Sequence, residues 1–194
     1  MAYRRGFKTE ANDIAREIRG ELKLGPLAPL DPRVLADWLE IPVHGLSEFV
    51  AVAPSVAYLR DVEPDAFSAV TVFFGRSRKI VYNDAHTLAR QNSDIGHEVA
   101  HGLLLHPPTP ALDDKGCRNW NQDIEDEATW LAGALLVTED AALSIARRGL
   151  SRAEAAEQFN VSEQMIQFRL NATGAIKRVQ RARRSRASEF AWRK

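Results

Sequence analysis

The sequence predicts an α+β fold in which helices surround a small twisted antiparallel sheet. Apolar residues recur at helical spacing over most of the chain. Between Phe49 and Tyr82, β-branched and aromatic residues instead occur in short runs that are typical of strands. The chain has 194 residues, of which 45% are hydrophobic, so it is long enough to bury a core of its own.

Turn and cap residues divide the chain into elements. Asp31 followed by Pro32 is an N-cap with proline in the first helical turn, and it predicts a short helix ending near Leu39. Ala69–Phe74 and Lys79–Tyr82 flank the turn that begins at Gly75, which indicates a hairpin. The remaining predicted helices cover residues 9–23, 93–105, 122–137, 139–148, 152–159 and 162–170.

The number of cysteines and the length of the apolar segments indicate the cellular compartment of the protein. Cys117 is the only cysteine, so no internal disulfide can form, and a reducing, cytoplasmic compartment is expected. The basic N-terminus leads into no apolar segment of the secretory type. The longest nearly apolar stretch, Ala128–Val137, is too short to span a bilayer, so no membrane partner is expected.

The formal net charge of zero conceals two segments of opposite charge. Residues 98–140 contain nine acidic and two basic residues, whereas residues 177–194 contain eight basic residues and one acidic residue. The first segment is therefore the better place for a cation site. The second is predicted to be a flexible basic tail, which either keeps the protein soluble or contacts a polyanion such as nucleic acid.

The five residues His97-Glu98-Val99-Ala100-His101 form the motif H-E-x-x-H. On a helix, residues four apart lie on one face, so both imidazoles can bind a single metal ion, and neutral imidazole is a good ligand for Zn²⁺. Glu98 lies one residue further on and can accept a proton from a water activated by the metal. The motif thus predicts His97 and His101 as zinc ligands and Glu98 as the general base.

A catalytic zinc needs a third protein ligand. The helix predicted from residue 122 places Glu125 in line with its buried face, and the small residues Ala128 and Ala132 would let it approach the His97 helix closely. Glu125 is therefore the predicted third ligand, with Glu127 as the second choice. Cys117, in a polar loop, is a less favoured thiolate ligand.

Several segments together resemble the ImmA/IrrE family of metallopeptidases. They are Ile80-Val81-Tyr82-Asn83, the run from Ser93 through the motif to His106, and the pattern Glu125-x-x-Ala128-x-x-Leu131-Ala132-x-x-Leu135-Leu136. The resemblance covers about residues 9–174. Leu131, and Val137 with Thr138, replace residues that the family usually has, and these departures affect packing rather than chemistry.

The resemblance implies a small zincin-like, gluzincin-type endopeptidase with a Zn²⁺ cofactor. By resemblance, His97, His101 and Glu125 are the zinc ligands and Glu98 is the base. Some members cleave a helix-turn-helix repressor in mobile-element or stress control, so the implied partner is a protein substrate of that type. The predicted division is a peptidase domain over 1–140, a helical segment over 141–176 packed on it, and the tail over 177–194. The scissile bond, the activating signal and the oligomeric state are not predicted.

Two further features remain open at the level of sequence. Either strand of the hairpin can present an edge to which a substrate peptide adds. Four side chains are candidates for stabilising the oxyanion of the reaction, and the sequence does not choose among them: Tyr58, Tyr82, His86 and Arg118.

The C-terminal third supports an alternative hypothesis, a DNA-binding transcriptional regulator in which the zincin portion is a sensor. Residues 153–170 read as helix, turn, helix, with Asn160 in the turn and Ser162 as the second N-cap. Gln164, Gln167 and Arg169 are side-chain types that read base edges. The intact set of His97, Glu98, His101 and Glu125 favours the enzyme over this alternative.

Overall fold

A computed structural model of the protein describes residues 3–75, 77–107 and 121–192, with side chains up to residue 185 in the last range. Nine α-helices and three strands lie in these ranges. In chain order they are α1 (Phe7–Glu21), α2 (Pro32–Trp38), β1 (Val43–Gly45), α3 (Ser55–Ala57), β2 (Ala69–Phe74), β3 (Ser77–Tyr82), α4 (Leu88–Leu103), α5 (Gln122–Leu136), α6 (Glu139–Arg148), α7 (Arg152–Phe159), α8 (Glu163–Thr173) and α9 (Ala175–Trp192). The predicted α+β class is confirmed.

The three strands form one mixed sheet in the order β1-β3-β2. The hairpin of β2 and β3 is antiparallel, as predicted, and pairs Thr71 with Ile80. β1 adds to the other side of β3 in the parallel direction, with Val43 opposite Ile80. The sheet is thus mixed and not purely antiparallel, because β2 runs opposite to β1 and the hairpin then returns β3 between them in the direction of β1.

That crossover differs from the strand-rich pattern predicted after Phe49. Residues Leu46–Phe49, Ser55–Ala57, Tyr58–Val62 and Pro64–Ala66 each form short helical turns. The β-branched residues here do not meet a partner strand, and Val52 is 81% exposed. Strand propensity is therefore overridden, because it is realised only where a pleated surface can be packed.

The helix that carries the motif, α4, begins earlier than predicted. Its N-cap is Thr87, whose hydroxyl accepts from the backbone N–H of Arg90. The predicted caps, Asn92 and Ser93, lie inside the helix and are buried there. Asn92 donates to the carbonyl of Asn160, and the Ser93 hydroxyl accepts from the backbone N–H of Ser162. Their polar groups thus bind the C-terminal segment instead of capping α4.

Close packing of α4 against α5 brings the two halves of the site together. A Cβ on Gly96 would lie 2.8 Å from Cδ1 of Leu136, so any larger residue at this crossing would require the Leu136 side chain to shift. Ala128 and Ala132 on α5 are fully buried. Small residues on both helices therefore set the interhelical distance.

The C-terminal segment contains the predicted succession of a helix, a turn and a second helix. Asn160 adopts the left-handed conformation between α7 and α8, with φ of 51°, and Ser162 caps α8. Helix α8 also packs against α5, where Arg169 and Phe168 cover Gly133. The segment predicted as a flexible tail, 177–194, coincides with most of α9, a helix that the charge pattern did not indicate. The division at residues 140 and 176 stays a prediction.

In the described part of the chain, no single helix is long and apolar enough to cross a bilayer. The pair α5 and α6 reaches that length and composition only together, with a bend of 64° between them.

Candidate metal centre

Three side chains from two helices converge on one point. His97 and His101 lie one helical turn apart on α4, and their Nε2 atoms are 3.0 Å apart. Oε2 of Glu125, in the first turn of α5, is 3.0 Å from Nε2 of His97 and 3.6 Å from Nε2 of His101. Each side chain is 17–25% exposed, so the cluster opens to solvent on one side.

The spacing of these atoms fits a tetrahedral metal ion. Ligand bonds of about 2.0–2.2 Å at tetrahedral angles place neighbouring ligand atoms about 3.3 Å apart. The three observed separations lie on both sides of that value. In the described residues, this is the one group of three or more His, Cys, Asp or Glu side chains spaced to hold a metal. Two imidazoles and one carboxylate are a donor set that suits Zn²⁺.

The charges around the cluster favour a cation. Burial alone raises the pKa of the Glu125 carboxyl, but hydrogen bonds with His101 and His97 outweigh it and hold that pKa well below its usual range. Burial lowers the pKa of His97, but its hydrogen bond with Glu125 and the nearby charge of Glu98 raise it above the ordinary value. A site that attracts a proton this strongly also attracts a metal ion, which replaces the proton when it binds.

Glu98 is adjacent in sequence to the cluster but is held by the sheet. The hydroxyl of Thr71, on β2, donates to Oε2 of Glu98 over 2.6 Å. Thr71 belongs to the partly buried face of β2, which faces α4. This bond orients the carboxylate and leaves Oε1 as the oxygen that can take up a proton. Sequence reasoning missed Thr71, because strand alternation places it on the inner face but does not identify its partner.

A chain of polar contacts begins at Nδ1 of His101, the ring nitrogen that does not face the cluster. Nδ1 of His101 is 2.9 Å from Nδ1 of His106, whose Nε2 lies 3.5 Å from Glu127. Arg4 reaches the same carboxylate at 3.3 Å. With a metal ion on Nε2 of His101, the proton of the neutral ring would lie on Nδ1, and this N–H would donate to His106. Burial, together with the charge of His101, lowers the pKa of His106, which favours the neutral ring that can accept.

The end of α4 brings His106 into this position. Leu105 adopts the left-handed conformation, with φ of 53°, and its side chain is 77% exposed. The backbone N–H of His106 then donates to the carbonyl of His101 over 3.1 Å. This is the hydrogen-bond pattern of a Schellman ending, and it folds His106 back onto the last turn of the helix.

His106→Gln is expected to weaken zinc binding by about 10–100-fold, because groups that orient a metal-binding imidazole contribute on that scale. Titration of the metal-free protein against a chromophoric zinc chelator measures this change. His44→Gln is the matched control, since the His44 side chain hydrogen-bonds to Glu48 and packs on Phe49, neither of which belongs to the cluster. Equal zinc affinities in both variants would show that His106 does not support the site.

The other predicted candidates lie apart from the cluster. Glu127 contacts Arg4 and His106. The Tyr58 hydroxyl donates to Glu63, and Nε2 of His86 donates to the carbonyl of Pro64.

Arg33 lies 5.0 Å from the centre of the Tyr82 ring. Cys117 and Arg118 fall outside the described residues. No choice of an oxyanion-stabilising residue follows from these positions.

Comparison of the sequence with models of known protein families assigns this chain to one of them. Residues 59–171 match the model of Peptidase_M78, described as the IrrE N-terminal-like domain. The chain belongs to this family. The match begins before β2 and ends within α8, so it contains the sheet hairpin and both helices of the cluster. Searches of the curated proteins and of the solved structures gave no match.

Membership confirms the resemblance to ImmA/IrrE proteins and places the chain in a family of metallopeptidases. A peptidase of this kind acts on a protein substrate. The His97, His101 and Glu125 cluster supplies the place where such an enzyme can hold a metal ion.

Proposed function

We propose that the protein is a zinc-dependent endopeptidase in which His97, His101 and Glu125 hold the metal and Glu98 is the general base. The observation that carries this proposal is the convergence of the three ligand atoms within 3.0–3.6 Å of one another. When bound, Zn²⁺ would acidify a water molecule and polarise the carbonyl of the scissile peptide bond.

The protein's own groups would then carry the proton. Oε1 of Glu98 accepts it from the attacking water, while the Thr71 hydroxyl holds Oε2 in place. The same carboxyl delivers the proton to the leaving amine nitrogen, so one residue acts first as base and then as acid. Because the Thr71 bond fixes one oxygen, the carboxylate cannot rotate freely and is kept beside the cluster.

The sheet offers a place for the substrate backbone. β3 is the central strand, so of the two hairpin strands only β2 has a free edge in the described sheet. β2 also carries Thr71, which contacts Glu98, so a peptide that pairs with this edge runs beside the base. We propose that an extended substrate segment adds to β2 through main-chain hydrogen bonds.

The proposed substrate is a helix-turn-helix transcriptional repressor, as the family resemblance implies, with a role in stress or mobile-element control. Addition to the edge of β2 requires only that the cleaved segment of the substrate be extended. A linker or loop of such a repressor meets that condition, because loops are the segments that open most readily.

Removal of the metal tests the proposal directly. The purified protein, dialysed against EDTA, is expected to cleave neither the repressor encoded nearest to its gene nor a proteome-derived peptide library. One equivalent of Zn²⁺ should restore cleavage, detected by mass spectrometry as new N-termini. Cleavage that persists at full rate after complete metal removal would rule out the proposed mechanism.

DNA binding by the C-terminal segment has weaker support. Arg169, one of the three proposed base-reading residues, is 1% exposed and donates to the carbonyl of Val137. Gln167 is engaged with Arg152 and Asn171, which leaves Gln164 exposed on α8. The exposed arginines of α9, among them Arg181 and Arg184, are better placed to contact a polyanion.

A further inference from the structure

A cavity of about 580 Å³ lies between α1, the junction of α5 with α6, and α8. It does not include any residue of the metal cluster. Two of its lining residues are arginines whose exposed fractions are only 3% for Arg19 and 1% for Arg169. A volume of this size accommodates a small organic molecule and greatly exceeds that of an inorganic ion.

Both arginines donate to backbone carbonyls, and only the more distant charge of Glu139 acts on the guanidinium of Arg169. Arg19 donates to the carbonyls of Leu135, Gly25 and Ala28, and Arg169 donates to the carbonyl of Val137. Neither forms an ion pair with a carboxylate among the described residues. Carbonyl oxygens satisfy hydrogen bonds but do not neutralise a charge, and a buried charge without a partner is unfavourable.

Each of these buried side chains also has an unused donor. Nε of Arg19 and Nη1 of Arg169 are buried and have no hydrogen-bond partner in the described structure. Burial lowers the pKa of Arg169 to about 10, which still leaves the guanidinium charged at neutral pH. Two buried guanidinium groups therefore belong to the wall of one cavity, and each has an N–H group that is enclosed by the protein without an acceptor.

The rest of the lining indicates the type of anion. Ala15 and Ala134 contribute apolar walls, which suit a hydrocarbon portion. Glu139 and Asp140 also line the cavity and disfavour a multiply charged guest, although Glu139 is paired with Arg178. A single negative charge on a partly apolar molecule fits best.

We propose that this cavity binds a small organic carboxylate, with Arg19 and Arg169 as the residues that recognise its negative group. The donors without a partner are Nε of Arg19 and Nη1 of Arg169, and hydrogen bonds from a guanidinium to a carboxylate are about twice as strong as neutral ones. The binding site is separate from the metal centre, and its existence does not depend on the proposed peptidase activity.

Calorimetric titration and thermal unfolding of the intact chain test the proposal with defined probes. The probes are benzoate and succinate at millimolar concentration, benzamide as the uncharged analogue, and inorganic phosphate, all at constant ionic strength. At least one carboxylate is expected to bind and to raise Tm, whereas benzamide and phosphate are not.

Two variants locate the binding site. Gly20 lines the cavity, and a Cβ there meets no atom within 4 Å, so Gly20→Met places a side chain in open space without disturbing the core. This variant and Arg169→Lys should each weaken carboxylate binding by about tenfold or more. Gln180→Met, on the exposed surface of α9, is the control and should bind as the unmodified protein does.

Zinc content is measured in parallel and should stay the same in all variants. If no carboxylate binds, or if Gly20→Met and Arg169→Lys both bind as tightly as the control, the proposal is wrong. Phosphate binding equal to or tighter than carboxylate binding would also overturn it.

Discussion

Glu98→Gln is expected to retain about one zinc per chain and to lose proteolysis by about 10²–10⁴-fold, the usual contribution of a general base. Glutamine has the shape of glutamate and can still accept the hydrogen bond from Thr71, but its amide cannot take up a proton at neutral pH. The fold and the metal ligands are therefore left intact while the proton acceptor is removed.

The measurement combines zinc stoichiometry with cleavage rate on the same preparation. Glu157→Gln makes the same chemical change on the exposed surface of α7 and should not alter either quantity. If Glu98→Gln cleaves within a few-fold of the unmodified protein, Glu98 is not the base, although the metal assignment would stand.

Glu125→Ala is expected to lose most of the zinc affinity of the protein. The loss should exceed the decrease of about 10–100-fold that is typical when a residue hydrogen-bonded to a metal ligand is replaced. The variant removes one of three protein ligands and leaves two imidazoles that cannot define a tetrahedral site alone. Zinc should consequently raise the Tm of the unmodified protein but not that of the variant, because binding to the folded state is the source of the added stability.

Glu127→Gln is the matched comparison, because Glu127 lies two residues away on the same helix and contacts Arg4 and His106 instead. It should reduce zinc affinity no more than His106→Gln does. A larger loss in Glu127→Gln than in Glu125→Ala would reverse the assignment of the third ligand.

Local signals in the sequence were sufficient for the elements that depend on neighbouring residues. The first hairpin strand, the Asp31 cap and the Asn160 turn each follow from the conformational preferences of a few residues. The second hairpin strand begins at Ser77, two residues before the predicted start at Lys79. The start of α4 was placed too late, since Asn92 and Ser93 are good cap residues whose partners in fact lie about 70 residues further along the chain. The helical turns after Phe49 differ from the predicted strands for a related reason, because their strand-forming residues lack a partner strand.

The sequence by itself determined that two imidazoles would share one helical face, because this follows from 3.6 residues per turn. The same argument aligned Glu125 with the buried side of its helix, but the Glu125 side chain is 25% exposed, and the acid buried on α5 is Asp126. Only the tertiary structure decided which distant groups meet them. Thr71 reaches Glu98 from the sheet, His106 folds back onto His101, and the fit of Gly96 against Leu136 sets how closely α4 approaches α5. Such contacts depend on how separate elements pack, and helical periodicity contains no information about that distance.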